Sequence, residues 1–187
     1  MTLDRAIEGE HNELQLAFVD ERSFRQFYDR TMPRVFAYLI SRAGGDRDLA
    51  EELTQQTFVA GIAQRHTFDG RSDPVTWLCG IARHKLADHF RRLERDERRQ
   101  LQLEVREISV DGETSVWGSA DERTAIASAL ARLPVAQRAA LLFVDLDDRP
   151  VREVSKLLGR SEGATQSLIT RARSNFKRVY ERGPIDG

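Results

Sequence analysis

Residues 151–173 read VREVSKLLGRSEGATQSLITRAR, and this stretch decides how the chain folds. Val151, Val154, Leu157 and Leu158 recur at helical spacing and form the packing face of a short helix. Gly159 follows, a residue free to adopt positive φ where a chain must turn sharply. Ser161 is then placed to cap the orphan amides of a second, basic helix, and those amides can also take a backbone phosphate. In that helix Ala164, Leu168 and Ala172, four residues apart, are expected on the inner face. A short helix, a glycine turn and a longer helix make a helix-turn-helix, whose second helix presents its N-terminal half to the major groove. Ser161, Thr165, Gln166, Ser167, Thr170, Arg171 and Arg173 are the expected DNA contacts. Gln can bond adenine and Arg guanine bidentately, each pair contributing about 1–3 kcal/mol of discrimination. The same three parts occur in ordinary helical bundles, and it is the flanking basic residues that favour the DNA-reading alternative.

Working outward, the chain of 187 residues can hold one large domain or two small ones. Its net charge of −1 hides blocks of opposite sign. Residues 1–30 carry seven acids against four arginines, and residues 100–122 six acids against one arginine, whereas residues 151–182 carry eight basic residues against three glutamates. A basic C-terminal unit is therefore masked by acidic segments elsewhere. One cysteine, Cys79, excludes an internal disulfide framework and any multi-cysteine metal site, and beside Trp77 and Leu78 it reads as a buried thiol. With no apolar run of the roughly 20 residues needed to cross a bilayer and no basic-then-apolar leader, a cytoplasmic setting is expected.

Nearly every periodic segment has helical spacing, so the chain reads as all-α, with two small helical domains joined by a flexible linker. Residues 1–19 form a loose N-terminal arm. From Glu21, apolar stripes through Phe24, Phe27, Tyr28, Val35, Phe36, Leu39 and Ile40 are interrupted by Pro33, which predicts two helices or one bent one. Gly44 and Gly45 end that unit, and Asp46 caps a helix with Leu49, Leu53, Phe58 and Ile62 broadly on one side. A loop, HTFDGRSDP, precedes a long helix from about Val75 to Arg99. Its first half buries Trp77, Leu78, Ile81 and Leu86, and its second half, FRRLERDERR, is expected to project into solvent. Residues 100–119 lose helical period and read as an acidic linker. The second domain spans residues 120–182, with a helix in ERTAIASALARL and another opened by Pro134, and residues 183–187 form a tail.

The run DLAEELTQQTF, followed by FDG, WLCGIARHKLADHFRR, a linker and LARLPVAQRAALLFVDLDDRPVREVSKLLGRSEGATQSLITRAR, resembles bacterial sigma factors of the extracytoplasmic-function group over residues 20–180. The resemblance implies a sigma region 2 bundle in residues 20–99 and a sigma region 4 helix-turn-helix in residues 120–182. It further implies an initiation factor that docks on core RNA polymerase, directs it to promoter DNA and helps open the duplex, without catalytic residues, metal or cofactor. Asp48, Glu51, Glu52, Gln55 and Gln56 inherit contact with the polymerase clamp. Glu52 and Gln56 stand where the family commonly has Asp and Glu, which bears on clamp affinity. Phe68, Arg71, Ser72, Asp73 and His84 inherit capture of the melted minus-ten element, whose unstacked bases are held in a pocket and stacked on side chains. His84 stands where many relatives have Asn, a change that bears on base preference. Arg83, Lys85, Arg91 and Arg92 are added as phosphate contacts. The helix-turn-helix residues inherit the minus-thirty-five element, where relatives usually carry a basic residue at the position of Gln166 and often Arg at that of Leu168. A less cationic helix implies weaker salt-dependent affinity and a shifted minus-thirty-five preference. An anti-sigma partner that occludes both domains is a further implication of the resemblance.

Three rival readings exist: an enzyme, a stand-alone regulator, and an α-helical interaction protein with no DNA role, against which the basic C-terminal unit argues. For an enzyme, His84 and His89 point to different helix faces, His11 and His66 stand in unrelated context, and no HExxH, nucleophile elbow or phosphate loop occurs. The alternative within DNA binding is a stand-alone helix-turn-helix regulator whose N-terminal bundle senses a signal or dimerises. Such a regulator would grip duplex DNA unaided, whereas a sigma factor needs core polymerase.

Overall fold

Asp20 opens the first helix. Its Oδ1 accepts the Ser23 amide at 2.8 Å, and that bond holds the Asp20 carboxyl below the usual carboxylate range. The computed structural model describes residues 20–104 and 122–181. Helix α1 runs unbroken over Glu21–Arg42 with Pro33 inside it. The proline is tolerated because it lies on the exposed side, where the carbonyl it leaves without a partner belongs to the exposed Asp29. Gly44 and Gly45 then turn the chain at φ +68 and +84, and Asp46 caps α2 (Arg47–Gln64) by accepting the Leu49 amide at 3.0 Å. A 3-10 turn (Arg65–Thr67) and a short loop lead to α3 (Pro74–Glu104). This helix runs into the first residues of the expected linker. The rest of that linker, the N-terminal arm and the C-terminal tail lie outside the described residues.

The chain divides into two compact units after Leu86, partway along α3. In the first unit the helices bury Phe27, Val35, Leu39, Leu53, Phe58, Leu78, Ile81 and Leu86. Three threonines share this core: the hydroxyls of Thr31, Thr54 and Thr57 donate to the carbonyls of Phe27, Ala50 and Leu53, each at 2.7 Å. Burial without such partners would cost roughly 1–3 kcal/mol apiece. Gly61 allows α2 and α3 to approach closely, since a Cβ there would lie 2.8 Å from Leu78 Cδ2. Several residues of the expected apolar stripes are less buried than the sequence suggested: Phe24, Tyr28, Phe36, Ile40, Leu49 and Trp77 are half-buried and Ile62 is exposed, while Cys79 is half-buried rather than enclosed.

The second unit adds α4 (Glu122–Ala131), α5 (Val135–Leu141), a π-helical turn (Leu142–Leu146), α6 (Val151–Leu158) and α7 (Glu162–Glu181) to the C-terminal half of α3. Pro134 stands at the N-cap of α5, where its missing N–H removes no helical hydrogen bond. The charged half of α3 does not simply project into solvent. Phe90, the first residue of FRRLERDERR, is buried and meets the fully buried Phe143 edge-on, with centroids 6.3 Å apart. Leu133, Leu141 and Ala172 form a core cluster against which Leu130, Phe176 and Val179 pack.

Candidate nucleic-acid interface

The helix-turn-helix of the second unit is built as its sequence dictates. Gly159 ends α6 in the left-handed region, φ 63 and ψ 40, with its N–H donating to the Lys156 and Ser155 carbonyls. The Arg160 amide reaches the Ser155 carbonyl at 2.9 Å and completes the C-cap. Ser161 caps α7: its Oγ accepts the Ala164 amide at 3.2 Å, and its hydroxyl hydrogen is left over for a phosphate.

On α7, Leu168, Ile169 and Ala172 face inward. Gln166, Ser167, Thr170, Arg171 and Arg173 are all exposed. The spacing Gln166, Thr170, Arg173, Lys177 lays one stripe along the outer face. The hydroxyls of Ser167 and Thr170 donate to the Gly163 and Gln166 carbonyls, each at 3.0 Å, so toward a ligand they offer acceptor lone pairs. Two expectations are corrected here. Thr165 is fully buried and spends its hydroxyl on the Ser161 carbonyl at 2.9 Å, so no base can reach it. Ala164 is exposed rather than inward, because the inner stripe runs through Thr165 and Ile169 instead.

In the first unit the segment from Phe68 to Pro74 is pinned from both sides. Asp69 Oδ1 accepts the Arg71 amide at 3.1 Å, and Gly70 takes φ +66. Asp73 precedes a proline at the first helical position and caps α3: Oδ1 accepts the Val75 amide at 3.2 Å, and its carbonyl accepts the Trp77 amide at 3.1 Å. Its other oxygen pairs with Arg34 Nη2 at 3.1 Å. The Asp73 carboxylate thus anchors the loop and has little left to offer a base. Arg71 is exposed and Ser72 half-buried. Phe68 is half-buried, its ring set edge-on to Trp77 with centroids 5.4 Å apart.

Along α3, His84 is exposed, whereas Arg83 and Lys85 are half-buried and diverge to opposite flanks of the helix. Arg91 and Arg92 are exposed in the part of α3 that belongs to the second unit. Arg91 pairs with Asp88, and its guanidinium lies beside the Gly159 turn. On α2, Asp48, Glu51, Glu52 and Gln55 are exposed, Glu51 accepts from Arg47 Nε at 2.9 Å, and Gln56 Nε2 donates to Glu52 at 2.7 Å.

The family model for Sigma-70 region 2 matches residues 27–96, and that for Sigma-70 region 4 matches residues 123–176. ECF RNA polymerase sigma factor SigC of Mycobacterium tuberculosis is 34% identical over 140 residues, covering 75% of this chain and 72% of SigC. The chain belongs to the ECF RNA polymerase sigma factors. This sigma factor is also 32% identical over 161 residues to ECF RNA polymerase sigma factor BldN of Streptomyces coelicolor, with 84% of its own length covered, and it spans 60% of BldN. Among solved structures, the sigma factor RpoE in complex with the anti-sigma factor NepR from Bartonella quintana shares the fold. That likeness has a TM-score of 0.51 at 24% identity, covering 89% of this chain and 99% of RpoE.

Two features of the sigma factor's surfaces escaped sequence reasoning. Val59, 67% exposed, and Ile62, 37% exposed, continue the acidic face of α2 as an apolar strip, Val59 four residues after Gln55 and Ile62 three after Val59. Their signal was available, since successive four- and three-residue steps from Gln55 reach them, but apolar residues on a helix are read as core by default. Asp145, on the π-helical turn, pairs with Arg173 across 28 residues of sequence, a contact no local pattern announces. Among the described residues, no helix is long and apolar enough to cross a membrane and no group of His, Cys, Asp and Glu could hold a metal ion. Replacing Asp73 with Ala should lower the stability of the first unit by about 1 kcal/mol through loss of the cap. A urea titration followed by circular dichroism checks it, and an unmoved midpoint would refute the capping role.

Proposed function

We propose that this sigma factor binds core RNA polymerase through the outer face of α2, captures the minus-ten element with the loop from Phe68 to Pro74 and the exposed His84, and reads the minus-thirty-five element with α7. The observation that carries the promoter half is the solvent-facing stripe of Gln166, Thr170 and Arg173, with Ser167 and Arg171 beside it, on the second helix of a helix-turn-helix closed by a left-handed glycine. In the groove, Gln166 is suited to adenine and the arginines to guanine or phosphate. Arg71, exposed at the crest of a loop held by Asp69, Asp73 and Arg34, meets the displaced strand, while Phe68 supports the loop from below by packing on Trp77.

The acidic face of α2 suits a basic helical partner, with Asp48, Glu51, Glu52 and Gln55 giving its polar part and Val59 and Ile62 an apolar continuation toward the C-terminal end of the helix. Each DNA contact alone is modest. Polymerase, by holding both readers at once, makes the second contact at high effective concentration. The chain's part is binding and strand capture, with no covalent step, and it acts where bacterial transcription does, in the cytoplasm.

Run-off transcription with purified core polymerase and a promoter library tests this. Transcripts that depend on the added chain, with bases enriched at two separated upstream elements, are the expected result. A chain that never associates with core polymerase, yet grips intact duplex tightly as a dimer, would instead be a stand-alone regulator.

A further inference from the structure

Arg173 stands on the reading stripe of α7, yet it is already engaged. Its Nη2 donates to Asp145 Oδ1 at 2.6 Å and its Nε lies 3.4 Å from Oδ2, so one edge of the guanidinium faces the carboxylate in a fork. The pair bridges α7 and the π-helical turn, and both side chains remain about half exposed, 55% and 46%. Exposed pairs of this kind contribute little to stability. Nor does α7 need the pair to stay docked, since Ile169 and Ala172 are buried beneath it and Asn175 Nδ2 donates to Gln137 Oε1 at 2.8 Å. Arg171, by contrast, rests its Nε on the Ser167 carbonyl of its own helix at 3.3 Å and, among the described residues, has no carboxylate partner. Two arginines two residues apart on one reading helix thus carry different effective charges.

We propose that Asp145 is a specificity-determining residue of the DNA-reading unit, a counter-charge that fixes the orientation of Arg173 and restrains it from unselective phosphate contact. Resting on the reading of α7 given above, it assigns a role to a residue outside the recognition helix. Of the five guanidinium N–H donors, two face Asp145 and three remain, pointing in directions the fork has set. A guanine edge or a phosphate at one defined place can use them. A phosphate approaching from elsewhere meets the Asp145 carboxylate and is repelled. The hydrogen bond to Asp145, and the charge behind it, raise the Arg173 pKa, so the cation persists while its long-range field is cancelled.

The full chain is titrated against a short mixed-sequence duplex over a range of salt, as wild type, Asp145→Asn, and Asp145→Asn combined with Arg173→Ala. Asp145→Asn should bind this unselected DNA several-fold more tightly and steepen the salt dependence by about 0.9 in log K against log salt, one additional phosphate neutralised. The double variant should lose that gain, because the freed arginine is what makes the new contact. An unchanged slope in Asp145→Asn, or a gain that survives removal of Arg173, would overturn the proposal. If the wild-type chain showed no salt-dependent duplex binding even at the lowest salt and with core polymerase present, the reading of α7 would fall, and the role of Asp145 with it.

Discussion

Replacing Val59 with Arg should weaken assembly with core RNA polymerase by roughly 30-fold or more while leaving the helical fold intact. Val59 is 67% exposed, so the larger side chain meets no neighbour in the free protein and the first unit should melt as before. In the proposed complex the same position lies toward the C-terminal end of the α2 face, with Gln55 one turn before it and Ile62 one turn after it. A cation there would be desolvated against a partner chosen for its own positive charge. Apolar anchors that an interface desolvates commonly cost about 2 kcal/mol or more when lost, a weakening of roughly 30-fold. Titrating labelled protein with core polymerase measures this, with thermal melting of the free variant as control. Unchanged affinity would place the docking surface elsewhere.

Phe143→Ala should be the most damaging core substitution in the second unit, costing about 3–5 kcal/mol. Its ring is fully buried and meets Phe90 edge-on, so truncation removes the contact and leaves a void that the π-helical turn cannot easily collapse to fill. Urea unfolding should show the transition moved to lower denaturant, and duplex binding by the helix-turn-helix should fall with it. A midpoint within about 1 kcal/mol of wild type would mean the cavity closes, and that Phe143 is not central to this core.

What could be read in advance was governed by how local each cause is. Helix starts with an aspartate cap, such as Asp46, and the glycine stop at Gly159 depend on a few adjacent residues, so α2, α6 and the start of α7 follow from spacing and capping alone. Pro33 was ambiguous because a proline ends a helix or merely lies on its wet side according to what packs against it, and only the tertiary arrangement decides. Phe90 was hidden by the charged residues after it: one aromatic suffices to bury a turn of a helix whose other faces stay in water.

The binding surfaces divide in the same way. Gln166, Ser167, Thr170, Arg171 and Arg173 were legible as outward positions because the glycine fixes where α7 begins. Thr165 was misassigned because a threonine that bonds its own helix four residues back is as comfortable inside as a valine. Asp145 and Arg34 lay beyond reach, since each acts on a residue far along the chain. Val59 was passed over because an apolar residue carries no mark of whether its partner belongs to its own chain or to another.

The loop from Phe68 to Pro74 is held mainly by groups other than its exposed side chain. Asp69, Asp73 and Arg34 hold the backbone, and the exposed Arg71 guanidinium adds only a solvent-facing pair with Asp69 at 3.6 Å, of a kind that contributes little to stability. On the function proposed for this loop, a gene that acquires a new codon at position 71 changes which promoters are opened without putting the folded bundle at risk. Lineages carrying such a factor could therefore redistribute the genes under its control by drift at one surface position.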